Sequence, residues 1–232
     1  MTNGAQRIRD TYARRDATKG DRYAWYQPDV INQEAARQAV LRQLLHRAFS
    51  NDLSSLDVLD VGCGTGSLLR GLIELGVSPS RCTGIDLLPD RIETAIGRSH
   101  PAMQWHVGGL AALDADKTFD LVTAWTVLSS VVDADARRSL IDDMWDRVRP
   151  GGWLQIFDFR FNNPRNPDVR RVRVSDFREL DPVPTEVFRR SLITSPPLAR
   201  RLCRAHPRLD SLLSAVLPAV RSHQFHMLRR GV

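Results

Sequence analysis

The sequence predicts an α/β protein built on a parallel, doubly wound sheet, and three observations predict it. First, Val58-Leu59-Asp60-Val61 is an apolar run carrying one acid. It breaks into Gly62-Cys63-Gly64-Thr65-Gly66 and resumes as an apolar-periodic helix from Ser67, the order of buried strand, tight turn and helix N-terminus. Second, short apolar runs recur at 82–86, 103–107, 119–124 and 153–159 and alternate with segments of helical period, which is the pattern of βαβ units. Third, 232 residues with 42% hydrophobic and 26% charged content are enough to bury one core of this kind.

In chain order, residues 5–27 are polar with interleaved Tyr12, Tyr23, Trp25 and Tyr26. Disordered tails are poor in aromatics, so this stretch reads either as a lid over a ligand or as rings anchoring the segment to the core. A helix is expected from about Asn32, a good N-cap, with Ala36, Val40, Leu41, Leu44 and Leu45 inward. Strand 57–61 leads through the glycines into a helix over 66–75. The strand Cys82–Asp86 ends in an acid placed to accept hydrogen bonds from ribose hydroxyls, and Pro89 opens the next helix without loss of a needed N–H. Strand 103–107 ends at Gly108-Gly109-Leu110, and strand 119–124 at Trp125. Asp133 caps a helix whose inward stripe is Leu140, Ile141, Met144, Trp145 and Val148. Arg149-Pro150-Gly151-Gly152 reads as a turn before strand 153–159. Strands at 186–194 and 222–228 flank a basic amphipathic insertion over 196–218, where Leu198, Leu202, Leu209, Leu212, Leu213, Val216 and Leu217 alternate with Arg200, Arg201, Arg204 and Arg208.

Composition narrows the function. No run of about 18 apolar residues exists to span a membrane, and the N-terminus lacks the apolar stretch of a signal peptide, so a cytoplasmic location is expected. Cys63, Cys82 and Cys203 lack metal-ligand spacing. His223 and His226 stand three apart on a strand and point to opposite faces, so no metal is expected. The net charge of +6 comes almost entirely from arginine, since Lys19 and Lys117 are the only lysines. The excess is concentrated in 160–173 and 189–230, which suits a solvated face, an anionic substrate or peripheral contact with a membrane surface. A nucleic-acid partner is the less favoured reading.

The Asp60-x-Gly62-x-Gly64-x-Gly66 pattern resembles motif I of class I S-adenosylmethionine-dependent methyltransferases. The resemblance covers about 55–160 and includes Asp86, Phe119-Asp120-Leu121-Val122 and Arg149-Pro150-Gly151-Gly152. It implies a Rossmann-like fold with seven strands, the last antiparallel. It also implies S-adenosylmethionine as cofactor, held by Asp60, Gly62, Cys63, Gly64 and Gly66, by Asp86 and Leu87, and by Gly109, Leu110 and Trp125. Many relatives carry an Asp where Gly109 stands, so adenine must be held here by backbone groups or another side chain.

The Asp158-Phe159-Arg160-x-Asn162-Asn163-Pro164-x-Asn166-Pro167 segment is similar to that of bacterial methyltransferases of polysaccharide and secondary-metabolite clusters. It leaves the carboxyl end of strand 153–159, the ligand side of such a sheet. Arg160, Asn162 and Arg170, with Tyr23, Tyr26 and Ser129, are therefore candidates to contact the acceptor. Asp158 is the candidate carboxylate at the acceptor, or else a structural partner of Arg160. Residues 1–50 are expected to form a lid or helical segment and 51–232 the cofactor-binding unit, within a single structural domain. The expected activity is methylation of a hydroxyl or amine on a small molecule or glycan. An RNA methyltransferase and a non-catalytic cofactor-binding subunit are the alternatives.

Overall fold

The computed structural model describes residues 10–11, 24, 26–49, 52–163, 166 and 168–232. Seven strands form one sheet: β1 (Val58–Val61), β2 (Cys82–Asp86), β3 (Gln104–Val107), β4 (Phe119–Trp125), β5 (Val148–Phe159), β6 (Glu186–Thr194) and β7 (Arg221–Arg229), in the order β3-β2-β1-β4-β5-β7-β6. β1 to β5 are parallel to one another, and β7 runs antiparallel between β5 and β6. The chain steps outward from β1 to β3 and then returns to the other side of β1 with β4. Loops at the carboxyl ends of β1 and β4 diverge at that reversal and leave a crevice.

Every residue of β1 and β2 is buried, as strands covered on both faces require. On one face Leu59, Val61, Val122, Leu154 and Ile156 pack with Ile141, Met144 and Trp145 of α4 (Ala134–Asp146). On the other, Val58, Leu121, Trp153 and Phe157 pack with Leu41, Leu44 and Leu45 of α1 (Pro28–Phe49) and Leu68, Leu69 and Leu72 of α2 (Ser67–Glu74). The helix α3 (Pro89–Arg98) follows β2. Between β6 and β7 stand α5 (Pro196–Ala205) and α6 (Pro207–Val216).

Two element boundaries, the starts of α1 and β5, differ from the sequence reading, each for a local reason. α1 starts at Pro28, ahead of Asn32, because proline is well tolerated in a first turn, and its buried stripe omits Ala36, which is exposed. β5 begins at Val148, so Val148 leaves the α4 stripe and pairs with Phe119. The Arg149-Pro150-Gly151-Gly152 stretch is a break in register inside the strand. Gly151 takes φ +79°, and a Cβ on Gly152 would stand 2.9 Å from the carbonyl oxygens of both Arg149 and Asp120. The glycines permit that bulge. The Asp133 cap is as expected: its carboxylate accepts from the Ala136 N–H at 2.8 Å.

Candidate functional site

A cavity of about 750 Å³ opens at the carboxyl ends of β1, β2 and β4. The glycine turn is one wall. Gly62, Gly64 and Gly66 all adopt left-handed φ, at +67°, +55° and +77°, which side chains disfavour. A Cβ on Gly62 would lie 2.5 Å from Val127 Cγ2, whereas a Cβ on Gly64 would meet only the tip of Arg91, at 3.7 Å. Backbone is therefore presented to the cavity at Gly64 with little in front of it.

Asp86 fastens this turn from β2. Its Oδ2 accepts from the Gly64 N–H at 2.8 Å and its Oδ1 from the Leu88 N–H at 2.9 Å. Each carboxylate oxygen keeps capacity for a second donor. Below the turn, Asp60 is buried and accepts from Thr123 Oγ1 at 2.8 Å. Burial pushes its pKa up to about 7, with the Thr123 hydroxyl opposing and the Asp86 charge adding to the rise.

Asp60, Gly62, Cys63, Gly64, Asp86, Leu87, Gly109, Leu110 and Trp125 all line the cavity. Gly66 does not. It is the N-cap of α2, and a Cβ there would sit 2.4 Å from Trp105 Cη2, so packing explains that glycine. The Cys63 thiol is buried, and burial, with the charges of Asp60 and Asp86, raises its pKa well above the ordinary thiol range. It is a poor nucleophile there. Gly109 has open space where a Cβ would be.

The residues expected at the acceptor are separated. Ser129 lines the cavity. Asn162 and Arg170 line a different cleft. Arg160 lines neither: its Nη1 donates to the Pro218 carbonyl at 2.9 Å, and its guanidinium lies 4.8 Å from the Phe161 ring centroid. Tyr26 is 53% exposed and is not among the lining residues, and Tyr12, Tyr23 and Trp25 fall outside the described residues.

Asp158 is wholly buried and does not line the cavity. Its carboxylate accepts from the Ser129 N–H at 3.0 Å and from the Phe159 N–H at 2.8 Å. Burial raises its pKa to about 6 against those hydrogen bonds. Among the described residues no ion pair joins it to Arg160, whose guanidinium reaches elsewhere. Asp158 thus fixes the loop carrying Ser129 from beneath.

Of the cavity residues missed in the sequence, two stand out for their chemistry and backbone. Arg37 projects from α1 with its guanidinium 4.9 Å from the Trp125 ring and 5.8 Å from Phe157, and it pairs with Glu34. Burial lowers its pKa to about 10. The signal was available: 37, 41, 44 and 45 fall on one helical stripe, so the periodicity that buries the leucines also turns Arg37 inward. The second is Thr126, which follows β4 with φ +57°. That is strained for a β-branched residue. Its N–H is held by the Phe157 carbonyl at 2.7 Å. Among the described residues no cluster of metal-ligating side chains occurs and no helix is long and apolar enough to cross a membrane.

Residues 58–152 match the family of methyltransferase domains. A ubiquinone biosynthesis O-methyltransferase of Rickettsia conorii is 31% identical over 133 residues, covering 55% of this chain and 44% of that one. The O-methyltransferase cnsE of Penicillium expansum is 31% identical over 158 residues, covering 64% and 55%. The chain spans about half the length of the curated relatives it matches. Among solved structures, the N-methyltransferase NodS of Bradyrhizobium japonicum superposes with a TM-score of 0.62 at 21% identity, over 87% of this chain and 98% of that one. Magnesium protoporphyrin IX methyltransferase of Synechocystis, solved with bound S-adenosylmethionine, gives 0.63 at 15% identity over 100% and 99%.

Proposed function

For a chain built on the class I S-adenosylmethionine-dependent methyltransferase fold around a methyltransferase domain at residues 58–152, we propose transfer of a methyl group to a hydroxyl, or alternatively an amine, of a small-molecule or sugar-type acceptor. The observation that carries this reading is the cradle itself. Gly64 presents bare backbone to a cavity of about 750 Å³, and Asp86 grips the same turn from the neighbouring strand. The O-methyltransferase names of the curated relatives support the hydroxyl over the amine.

S-adenosylmethionine, when bound, supplies an already activated methyl group. The chain's own work is then to bind, orient and exclude water. Asp86, with its free lone pairs, would accept from the ribose hydroxyls while its existing bonds keep the turn rigid. Gly109 and Leu110 would border adenine with backbone groups, where Gly109 offers room in place of a side chain. Arg37 and Trp125 wall the side towards α1. Asp158 is a positioning residue that holds the Ser129 loop through the Ser129 N–H. An amine acceptor needs no general base, and a hydroxyl gains from one only where a side chain reaches it.

The test is calorimetry with S-adenosylhomocysteine, followed by a screen for methylated product across hydroxylated and amino acceptors. Saturable binding with product formation is expected. Failure of the wild-type chain to bind S-adenosylhomocysteine overturns the reading, and binding without turnover on any acceptor favours a non-catalytic subunit.

A further inference from the structure

A second cleft, of about 450 Å³, lies between α4 on one side and Asn162 with residues 170–179 on the other. Five arginines line it, Arg137, Arg138, Arg170, Arg171 and Arg173, against two carboxylates, Asp176 and Glu179. The carboxylates do not neutralise it. Glu179 is taken by Arg138, which also holds Asp142 in a two-oxygen grip. Asp176 stands 3.8 Å from Arg137 and accepts the Arg173 backbone N–H. Among the described residues no carboxylate pairs with the guanidinium of Arg170, Arg171 or Arg173.

Arg137 is the most deeply held of the lining arginines. It is 7% exposed. Its Nε donates to the Val131 carbonyl at 2.8 Å and its Nη1 to the Arg171 carbonyl at 3.1 Å, yet its Nη2 is buried with no partner. The Nε of Arg171 is likewise buried and unpartnered. Burial lowers the Arg137 pKa; Asp176 and Asp158 oppose this, and Arg170 and Arg173 add to it. A buried guanidinium N–H without an acceptor is costly, and clustering like charges beside it adds to the cost. A multivalent oxyanion in the cleft offsets the clustered charge of Arg170, Arg171 and Arg173, because its oxygens accept several charge-assisted hydrogen bonds from planar guanidinium forks at once.

We propose that this cleft is a binding site for a phosphate-type oxyanion, held by Arg137, Arg171 and Arg173 with Asn162 and Arg170 at its rim. The site is coupled to the larger cavity through a shared wall. Ser129 and Val131 line the larger cavity, and their carbonyls accept from the Arg170 N–H and the Arg137 Nε. Arg170 Nη1 donates to the Val132 carbonyl. The oxyanion is either a free ion or a phosphate carried on a larger molecule. The binding itself does not depend on the methyl-transfer reading and is measured without turnover.

The experiment is isothermal calorimetry of the full chain with inorganic pyrophosphate and, separately, uridine diphosphate, at about 0.1 M salt, where remote surface charge is screened. Saturable one-site binding is expected. Arg171→Gln and Arg173→Gln are each expected to weaken it about tenfold or more. Arg178→Gln, whose side chain does not line the cleft, should bind as wild type does. Melting temperatures confirm that the variants are folded, and these two test positions are chosen because Arg137 also ties the loop together. Equal affinity for the two probes assigns a free anion, and tighter binding of uridine diphosphate assigns a phosphate on a larger molecule. Absence of saturable binding by the wild-type chain overturns the proposal, as does equal weakening by Arg178→Gln.

Discussion

On the proposed reading Asp86 does two jobs with one carboxylate, and its substitution separates them only in part. Asp86→Ala removes acceptors for the Gly64 and Leu88 N–H groups as well as for a ribose. S-adenosylhomocysteine affinity should fall by about 1.5–3 kcal/mol, the range for hydrogen bonds to a charged group, with a lower melting temperature. Calorimetry showing unchanged affinity would remove Asp86 from the cofactor site. At Gly66 the expected loss is of stability. Gly66→Ala brings a Cβ against Trp105 at φ +77°, and chemical denaturation should show a drop of about 1–3 kcal/mol, the range for overpacking. A midpoint equal to wild type would mean that Trp105 can move aside.

Asp60 makes a pH prediction. Its folded pKa of about 7 lies above the ordinary 3.8, so between those values the native carboxyl is protonated while the unfolded one is ionised. The wild-type fold therefore loses stability as pH rises from about 4 to about 7, and the deficit persists above that. Asp60→Asn keeps a carbonyl for Thr123 and escapes the deficit. Its stability relative to wild type should grow across that window, by up to about 4 kcal/mol for three pKa units. Denaturant midpoints measured from pH 4 to 8 check this, and a constant difference would contradict a buried, proton-holding Asp60. His223 and His226, whose pKa values burial lowers to about 4, act in the opposite direction. Wild-type stability falls as pH drops from 6.5 towards 4 on their account, so the variant must be compared with wild type at each pH.

At the scale of elements, α4 links both cavities. Its N-terminus begins where the Ser129 loop ends, and its Arg137 and Arg138 form one side of the second cleft. Asp133→Ala deletes the cap on Ala136 N–H and should cost about 1 kcal/mol. Hydrogen exchange should quicken at the first turn of α4 and leave β1 to β3 unchanged. Uniform quickening would show that the cap holds up more than its own helix.

The elements were legible in the sequence to different depths. The glycine turn, its strands and the Asp133 cap follow from local chemistry that short windows contain. The start of β5 was not legible, because Arg149-Pro150-Gly151-Gly152 reads locally as a turn and only pairing with Phe119 makes it part of a strand. Arg37 was legible in principle from the leucine stripe. The grouping of Arg137 and Arg138 with Arg171 and Arg173 was not, since more than thirty residues separate them (Arg137 and Arg171 are 34 apart) and only the packing of 171–179 on α4 brings them together. Gly66, a motif position expected at the cofactor, also has a packing reason to be glycine, the neighbouring Trp105.

Across the whole molecule, the sheet has two halves of different character. β3-β2-β1-β4 is parallel and carries the glycine turn and Asp86, whereas the β5-β7-β6 side is joined by antiparallel pairing. That β7 lies between β5 and β6 has a consequence for synthesis on the ribosome. β5 is translated well before its partner, and its outer edge of N–H and C=O groups stays unpaired until 221–229 emerge; an open edge of this kind invites pairing with another chain. Nascent chains arrested with residues up to 216 outside the exit tunnel should therefore already resist proteolysis around 58–125 and remain cleavable around 153–159. Chains released with β7 in place should resist at both. Translation speed across the arginine-rich codons of 189–208 would then set how long that edge is exposed, and with it the yield of soluble protein.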